Sequence, residues 1–171
     1  MSDGVDIRGA EAVAKLLRGM EHRIERWTDA APRIHDFLLV RQEELFASGG
    51  ASEGQRWADY GQEPKYKAYK QAVLGDLTVL RWKGGKNERL YPSLVDPRHP
   101  NHAFSVGSNE VAMGTSLKYA KRLMRGGKNM FGEPMPARQL VGLGNRSTLR
   151  LAQLLTVYIA RGTSRGNTWT R

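Results

Sequence analysis

The chain has 171 residues, of which 40% are hydrophobic and 26% are charged, and it contains no cysteine. This length fits one domain with its own core, and the lack of thiols excludes disulfides, thiolate zinc sites and a cysteine nucleophile. The net charge of +10 divides into −3 for residues 1–60 and +13 for residues 61–171, which predicts either a surface that meets a negatively charged partner or a solvated excess of cations.

The N-terminus shows no sign of a targeting segment. It begins Met-Ser-Asp-Gly-Val-Asp, without the basic start and apolar stretch of a secretory signal. The sequence also lacks an apolar run long enough to cross a bilayer. We therefore expect an unprocessed, soluble protein that is made in the cytoplasm and has no membrane partner.

The first third of the chain is predicted to be helical. After a short strand at 5–7, apolar residues recur at the spacing of one helical face: Val13, Leu16, Leu17, Met20, Ile24 and Trp27. A second helix start is indicated near Pro32, since proline is tolerated in a first turn. Residues 9–48 are thus either a helical hairpin or one long helix kinked at Pro32.

The rest of the chain alternates short elements with loops rich in glycine and proline. A polar loop at 49–63 holds Trp57 and Tyr60. The predicted elements that follow are a helix from Pro64 to Gly75, a strand at 77–82, a loop at 83–101, a β-hairpin around 104–113, a helix capped by Ser116, a loop at 128–144 and a helix at 147–160.

These elements predict an α+β fold, in which the N-terminal helical hairpin and the C-terminal helix pack on a small antiparallel sheet. Residues 1–162 are expected to form a single domain, with a helical part at 9–48 and an α+β part at 64–162. Residues 163–171 are expected to be a polar C-terminal tail that only a partner would order.

Motifs that would indicate catalysis or a cofactor are incomplete. Gly-Gly-Lys-Asn at 84–87 and again at 126–129 lacks the upstream glycine and the hydroxyl residue of a phosphate-binding loop. Asp96, His99 and His102 share a loop in which two prolines prevent a regular display of metal ligands. We predict no catalytic residue, no cofactor and no metal, with a metal enzyme built on this loop as the remote alternative.

Nucleic-acid binding has more support in the sequence. Lysines 65, 67 and 70 interleave with Tyr66 and Tyr69, and four cations crowd the helix near Tyr119: Lys118, Lys121, Arg122 and Arg125. Such cations can contact phosphates while aromatic rings stack on bases. The alternative is that they solvate the outer faces of amphipathic helices.

The order of features resembles the phage virion-morphogenesis, or tail-completion, family over residues 34–161. The matching residues are Phe46, Gly54 and Trp57, then Gly114-Thr115 and Tyr119-Ala120, then Pro136-Ala137-Arg138-Gln139-Leu140-Val141-Gly142-Leu143 before the last helix. The chain departs from the family pattern by lacking a His-Gln pair after the Tyr-Ala helix and by a longer loop at 83–101.

The resemblance implies a non-enzymatic virion protein of the phage neck or upper tail, without a cofactor. Such a head–tail connector or tail-completion protein would be a ring-forming subunit that contacts copies of itself and neighbouring neck, tail-terminator or tail-tube proteins. Genomic DNA passing through the channel could face Lys118, Lys121, Arg122 and Arg125. We predict subunit contacts at Trp57, Tyr91, Met130, Phe131 and Arg138, unless Trp57 and Phe131 cover the core and Arg138 holds a loop.

Overall fold

The computed structural model describes residues 10–54, 56–75, 80, 89–108 and 110–162. Within these ranges the chain forms six α-helices and two antiparallel sheets of two strands each. The α+β fold class predicted from the sequence is confirmed. The predicted strand at 5–7, the tail at 163–171 and, apart from Leu80, the predicted strand at 77–82 lie outside the described residues.

The N-terminal region is two helices rather than one kinked helix. Helix α1 spans Ala10–Glu25, a 3-10 turn spans Trp27–Ala30, and helix α2 spans Ala31–Ala47. The break precedes Pro32, which lies in the first turn of α2, where its missing N–H has no helical acceptor to lose.

Helix α3 spans Pro64–Leu74, as predicted, and ends where Gly75 takes a left-handed conformation. The predicted loop at 83–101 is corrected, because it contains helix α4, Leu90–Val95. Leu90 and Leu94 lie one turn apart and are almost fully buried, while Pro92 occupies the first turn. Because glycine and proline are frequent around this short segment, the spacing of Leu90 and Leu94 did not suggest a helix.

The predicted β-hairpin is present. Strand β1, His102–Val106, pairs antiparallel with strand β2, Val111–Thr115, and Phe104 lies opposite Met113. Helix α5, Lys118–Arg125, follows. Ser116 does not cap α5 as predicted, because its hydroxyl donates to Asn101 Oδ1 at 2.8 Å instead.

The predicted loop at 128–144 contains part of a second, minimal sheet. Strand β3, Gly127–Lys128, pairs with strand β4, Pro134–Met135. The backbones approach so closely here that a Cβ at Gly126 would lie 2.8 Å from the Met135 carbonyl oxygen. Helix α6 then spans Asn145–Arg161, in agreement with the predicted helix at 147–160.

Two apolar clusters hold the described elements together. The first joins α2, α4, α5 and the segment before α6: Leu45, Phe46, Trp57, Leu80, Leu90, Leu94, Ala120 and Leu140. The second joins the 3-10 turn and α2 to α6 through Ala30, Ile34 and Tyr158. Among the described helices, none has both the length and the apolar character that a membrane span requires.

Helix α1 is attached to α6 near its own C-terminal end. The Arg23 guanidinium donates from Nε to the Ile159 carbonyl at 2.5 Å and from Nη2 to the Ala160 carbonyl at 3.0 Å. A cation at the last carbonyls of a helix is also favoured by the helix dipole. Trp27, the first residue of the 3-10 turn after α1, donates from its indole Nε1 to the Ser108 carbonyl at 2.6 Å.

Candidate interaction surfaces

A buried ion pair joins Glu63, just before α3, to Arg138, in the segment before α6. Glu63 is 1% exposed and Arg138 is 2% exposed. Arg138 Nη2 donates to Glu63 Oε1 at 2.8 Å, and Arg138 Nε reaches the Ala58 carbonyl at 3.4 Å. The pair joins the segment before α6 to the loop before α3. Removing either charge would leave the other uncompensated in the interior, so this link is costly to break.

Asn129 extends this pair into a network that shapes the turn between β3 and β4. Its Nδ2 donates to Glu63 Oε2 at 3.3 Å and to Glu133 Oε2 at 2.9 Å. Its Oδ1 accepts the backbone N–H groups of Phe131 at 2.9 Å and Glu133 at 3.0 Å. Residues 129–133, called the 129–133 loop below, are therefore organised around one buried amide side chain.

Glu133 connects the 129–133 loop to the start of α3. Its carboxylate accepts the N–H groups of Lys65 at 2.9 Å and Tyr66 at 3.1 Å, two donors that lack partners within the helix. Desolvation pushes the pKa of Glu133 upward, but the hydrogen bonds from Asn129, Lys65 and Tyr66 outweigh it and lower the pKa overall. The carboxylate therefore caps α3 from outside its own segment.

The tip of the 129–133 loop presents two of the predicted contact residues to solvent. Met130 is 67% exposed and Phe131 is 37% exposed. The Phe131 ring meets the Tyr69 ring edge-on, with 5.7 Å between centroids. An apolar tip on a loop fixed by buried hydrogen bonds is suited to contact another molecule without first becoming ordered.

Two other predicted contact residues are interior, and the burial argues against their direct contact with a partner. Trp57 is 6% exposed, packs edge-on against Phe46 with 5.0 Å between centroids, and donates from Nε1 to the Gln139 carbonyl at 2.8 Å. Arg138 lies in the buried ion pair described above. The alternative roles predicted for them, covering the core and holding a loop, fit these positions.

Tyr91 occupies an intermediate position. Its side chain is half-buried, packs against the first apolar cluster and meets the Phe46 ring at 5.2 Å between centroids. A partner could reach only part of this side chain. Its contact role remains a prediction.

The four basic residues singled out in the sequence share helix α5 and are all exposed. Arg122 donates from Nη2 to the Lys128 carbonyl, which directs its guanidinium toward β3. The other three border a groove of about 700 Å³. This feature, called the α5 groove, has an apolar floor that includes Leu94, Leu117, Ala120, Met124, Leu140 and Val141 and a basic rim of Lys118, Lys121 and Arg125.

Helix α1 carries an apolar surface that sequence reasoning did not identify as exposed. Val13, Leu16, Leu17 and Ile24, called the α1 stripe, are 55%, 53%, 57% and 55% exposed. The periodic spacing predicted an amphipathic helix correctly, and such a face is usually covered by the domain's own core. Here the chain leaves most of it open to solvent.

A second cavity, of about 540 Å³, lies beside the buried ion pair and is walled in part by Tyr60, Tyr66 and Lys70. Lys70 Nζ donates to the Tyr60 hydroxyl at 3.0 Å, and that oxygen also accepts the Leu80 N–H at 3.3 Å. Burial raises the pKa of Tyr60 to about 12, so its hydroxyl is protonated at neutral pH. These polar groups engage one another and fit a structural role.

Two of the four histidines, His35 and His102, form a pair. His35 Nε2 and His102 Nε2 are 2.9 Å apart, and His102 Nδ1 lies 3.1 Å from the Ser93 carbonyl oxygen. His99 Nδ1 instead accepts the Asn101 N–H at 3.1 Å. Among the described residues, no three His, Cys, Asp or Glu side chains are grouped so that they could hold a metal ion.

Comparisons with protein-family models, with curated proteins and with solved structures each found no match to this chain. Functional inference therefore starts from the exposed surfaces described above.

Proposed function

We propose that this protein is a structural subunit of a phage neck or upper tail, a tail-completion or head–tail connector protein that acts in a ring of copies of itself. The observation that carries the proposal is the α1 stripe, whose four apolar side chains are all more than half exposed. Contiguous apolar surface of this kind marks an interaction site on an otherwise folded domain. The family resemblance noted in the sequence supplies the location in the virion.

The 129–133 loop supports the same proposal. Met130 and Phe131 are exposed at its tip, while Asn129 and Glu133 secure its base through buried or half-buried hydrogen bonds. A preorganised loop loses little conformational entropy when it meets a neighbour. The loop is therefore the second surface through which the subunit would contact a copy of itself or a neighbouring tail-terminator or tail-tube protein.

The charge distribution supports a head-to-tail arrangement. Residues 1–60 have a net charge of −3 and residues 61–171 have +13. A ring requires two different surfaces of one subunit to meet, and surfaces of opposite sign favour that register over like-to-like pairing. No catalytic step and no cofactor form part of this proposal.

Cryo-electron microscopy of intact particles from the phage that encodes the protein tests the proposal. We expect density for this fold as a ring between head and tail or at the top of the tail. The absence of this chain from the neck and the tail would overturn the proposal. A variant with Met130 and Phe131 both changed to Ser, which leaves the buried network intact, should fold normally and enter fewer particles.

A second candidate function is sequence-independent binding to nucleic acid. The observation that favours it is the exposed cluster of Lys118, Lys121, Arg122 and Arg125 on α5. If all four contacted phosphates of duplex DNA, the logarithm of the affinity should fall with the logarithm of salt concentration with a slope of about −4. Changing Lys121 to Ala should reduce that slope by about 1, and a lack of detectable binding at low salt would remove this candidate.

A further inference from the structure

We propose that the α1 stripe of one subunit docks into the α5 groove of the next copy, which makes this the repeating contact of the ring. The inference builds on the proposed function by naming the two surfaces that meet. The stripe and the groove are different patches of one molecule, as a head-to-tail ring contact requires.

The apolar parts of the two surfaces are complementary. The stripe offers aliphatic side chains of Val, Leu and Ile, and the groove floor is built from Leu, Val, Ala and Met. From Val13 to Ile24 the stripe extends for about 16 Å, and α5 is about 12 Å long, at 1.5 Å per helical residue. If α1 of one copy lay along the groove of the next, the groove would therefore cover most of the stripe.

The charged borders of the two surfaces are also complementary. On a helical wheel the side of the stripe that faces away from Arg23 is bordered by two exposed carboxylates, Glu21 and Glu25, with the exposed Arg18 beyond them. The groove rim carries Lys118, Lys121 and Arg125, and among the described residues that line the groove none is acidic. When the stripe docks in the groove, the acidic border can lie against the basic rim. This attraction favours stripe-to-groove docking over the pairing of two identical stripes.

The attachment of α1 leaves it available for such a contact. Arg23 and Trp27 hold the C-terminal end of α1 to α6 and to the β1–β2 turn. The stripe residues themselves lie mostly outside that attachment, since even Ile24 is 55% exposed. Docking would therefore bury apolar surface without breaking a contact that the subunit already makes.

The cysteine-free chain allows a direct test by cross-linking. One copy carries Leu17→Cys and a second, distinguished by a mass tag, carries Met124→Cys. The copies are mixed at about 1 mM, where a contact of millimolar Kd is substantially occupied. A thiol cross-linker spanning about 10 Å is used, because packed helices lie 8–10 Å apart.

We expect the mixed Leu17→Cys and Met124→Cys product to exceed both products of identical copies. The matched control pairs Lys15→Cys, on the opposite face of α1, with Gln153→Cys, on the exposed face of α6. A mixed yield no higher than that of the control overturns the inference, and so does a predominance of Leu17→Cys homodimers, which would indicate symmetric pairing of stripes.

Charge reversal gives an independent readout of the register. Glu21→Lys on the stripe copy should reduce the mixed yield about two- to fivefold, as expected for exposed ion pairs, and Lys121→Glu on the groove copy should do the same. Combining both reversals should restore part of the yield. Additive losses without restoration would contradict the proposed charge pairing.

Particle imaging separates this inference from the function on which it rests. A neck ring in which the stripe does not meet the groove leaves the function standing and removes the inference. If the cross-linking were specific but the protein were absent from the neck and tail, the stripe-to-groove contact would stand and the proposed function would be removed.

Discussion

Glu53 and Ser147 form a hydrogen bond across 94 residues of sequence, with the Ser147 hydroxyl donating to Glu53 Oε1 at 2.7 Å. The other carboxylate oxygen, Oε2, accepts the Gly144 N–H at 2.7 Å at the start of α6. A residue in the loop after α2 thereby caps a helix near the other end of the chain. Glu133 caps α3 in the same way, so two of the helices begin on carboxylates supplied by distant segments.

Changing Glu53 to Gln should destabilise the protein. The amide oxygen can still accept the Gly144 N–H, but the amide NH₂ then faces Ser147, whose hydroxyl must turn from donor to acceptor, and the negative charge at the start of α6 is lost. We expect the free energy of unfolding to fall by about 0.5–2 kcal/mol, the cost of weakening a charged helix cap. Urea denaturation measures the change, and Glu43→Gln, at an exposed position on α2, is the matched control. Equal stability of the two variants would contradict the cap.

The pair Glu63 and Arg138 should show strong non-additivity. Arg138→Met leaves a buried carboxylate without its counter-ion and should cost about 3–5 kcal/mol of unfolding free energy. Adding Glu63→Gln to that variant should recover part of the loss, because the stranded charge is removed. A double-mutant cycle in urea measures the coupling. Simple addition of the two single losses would indicate that the groups do not interact.

His35 makes stability depend on pH. Burial and the neighbouring His102 lower the pKa of His35 below its usual 6.5, with Asp36 acting in the opposite direction. The unfolded chain therefore takes up a proton more readily than the folded one. The contribution of His35 to the free energy of unfolding is fully present above pH 6.5 and decreases as the pH falls from 6.5.

We expect wild-type protein to lose more stability between pH 7 and pH 5 than a His35→Gln variant does, as measured by urea midpoints at both pH values. His22→Gln, at an exposed position on α1, is the matched control. If the His35→Gln variant kept the full wild-type dependence, the histidine pair would not be its source.

Glu133→Gln should loosen the 129–133 loop selectively. The lowered pKa of Glu133 means that the folded state favours the ionised carboxylate, so its stabilisation is fully present above the ordinary carboxyl pKa and is lost as the pH falls through the lowered pKa. Amide hydrogen exchange at Lys65 and Tyr66 should become faster in the variant at neutral pH. Exchange in α6 should stay unchanged and serves as the internal control.

Local patterns were enough to predict the elements whose residues pack in a regular repeat. The spacing of Leu151, Leu154 and Leu155 predicted α6, and the alternation around Phe104 and Met113 predicted the hairpin. Helix α4 was missed because its apolar residues, Leu90, Tyr91, Leu94 and Val95, span little more than one turn in a segment dominated by glycine, proline and charge.

The candidate surfaces were predicted less well, because exposure is a property of the whole fold. A tryptophan in a glycine-containing loop can equally cover a core or face a partner. The burial of Trp57, its packing on Phe46 and its bond to the Gln139 carbonyl place it in the interior. Likewise the buried network joins Glu63, Asn129 and Arg138 across distances in sequence that no periodicity encodes. Met130 and Phe131 were predicted as contacts, and the structure exposes both.

Helix α1 contributes none of the buried residues of the two apolar clusters within the described part of the chain. The cores are complete without it, and Arg23 and Trp27 provide side-chain bonds that anchor its C-terminal end. The helix is therefore an appendage to a body that folds around other residues. Its exposed surface can therefore change together with the surface that it meets, without any change in the buried residues that define the fold.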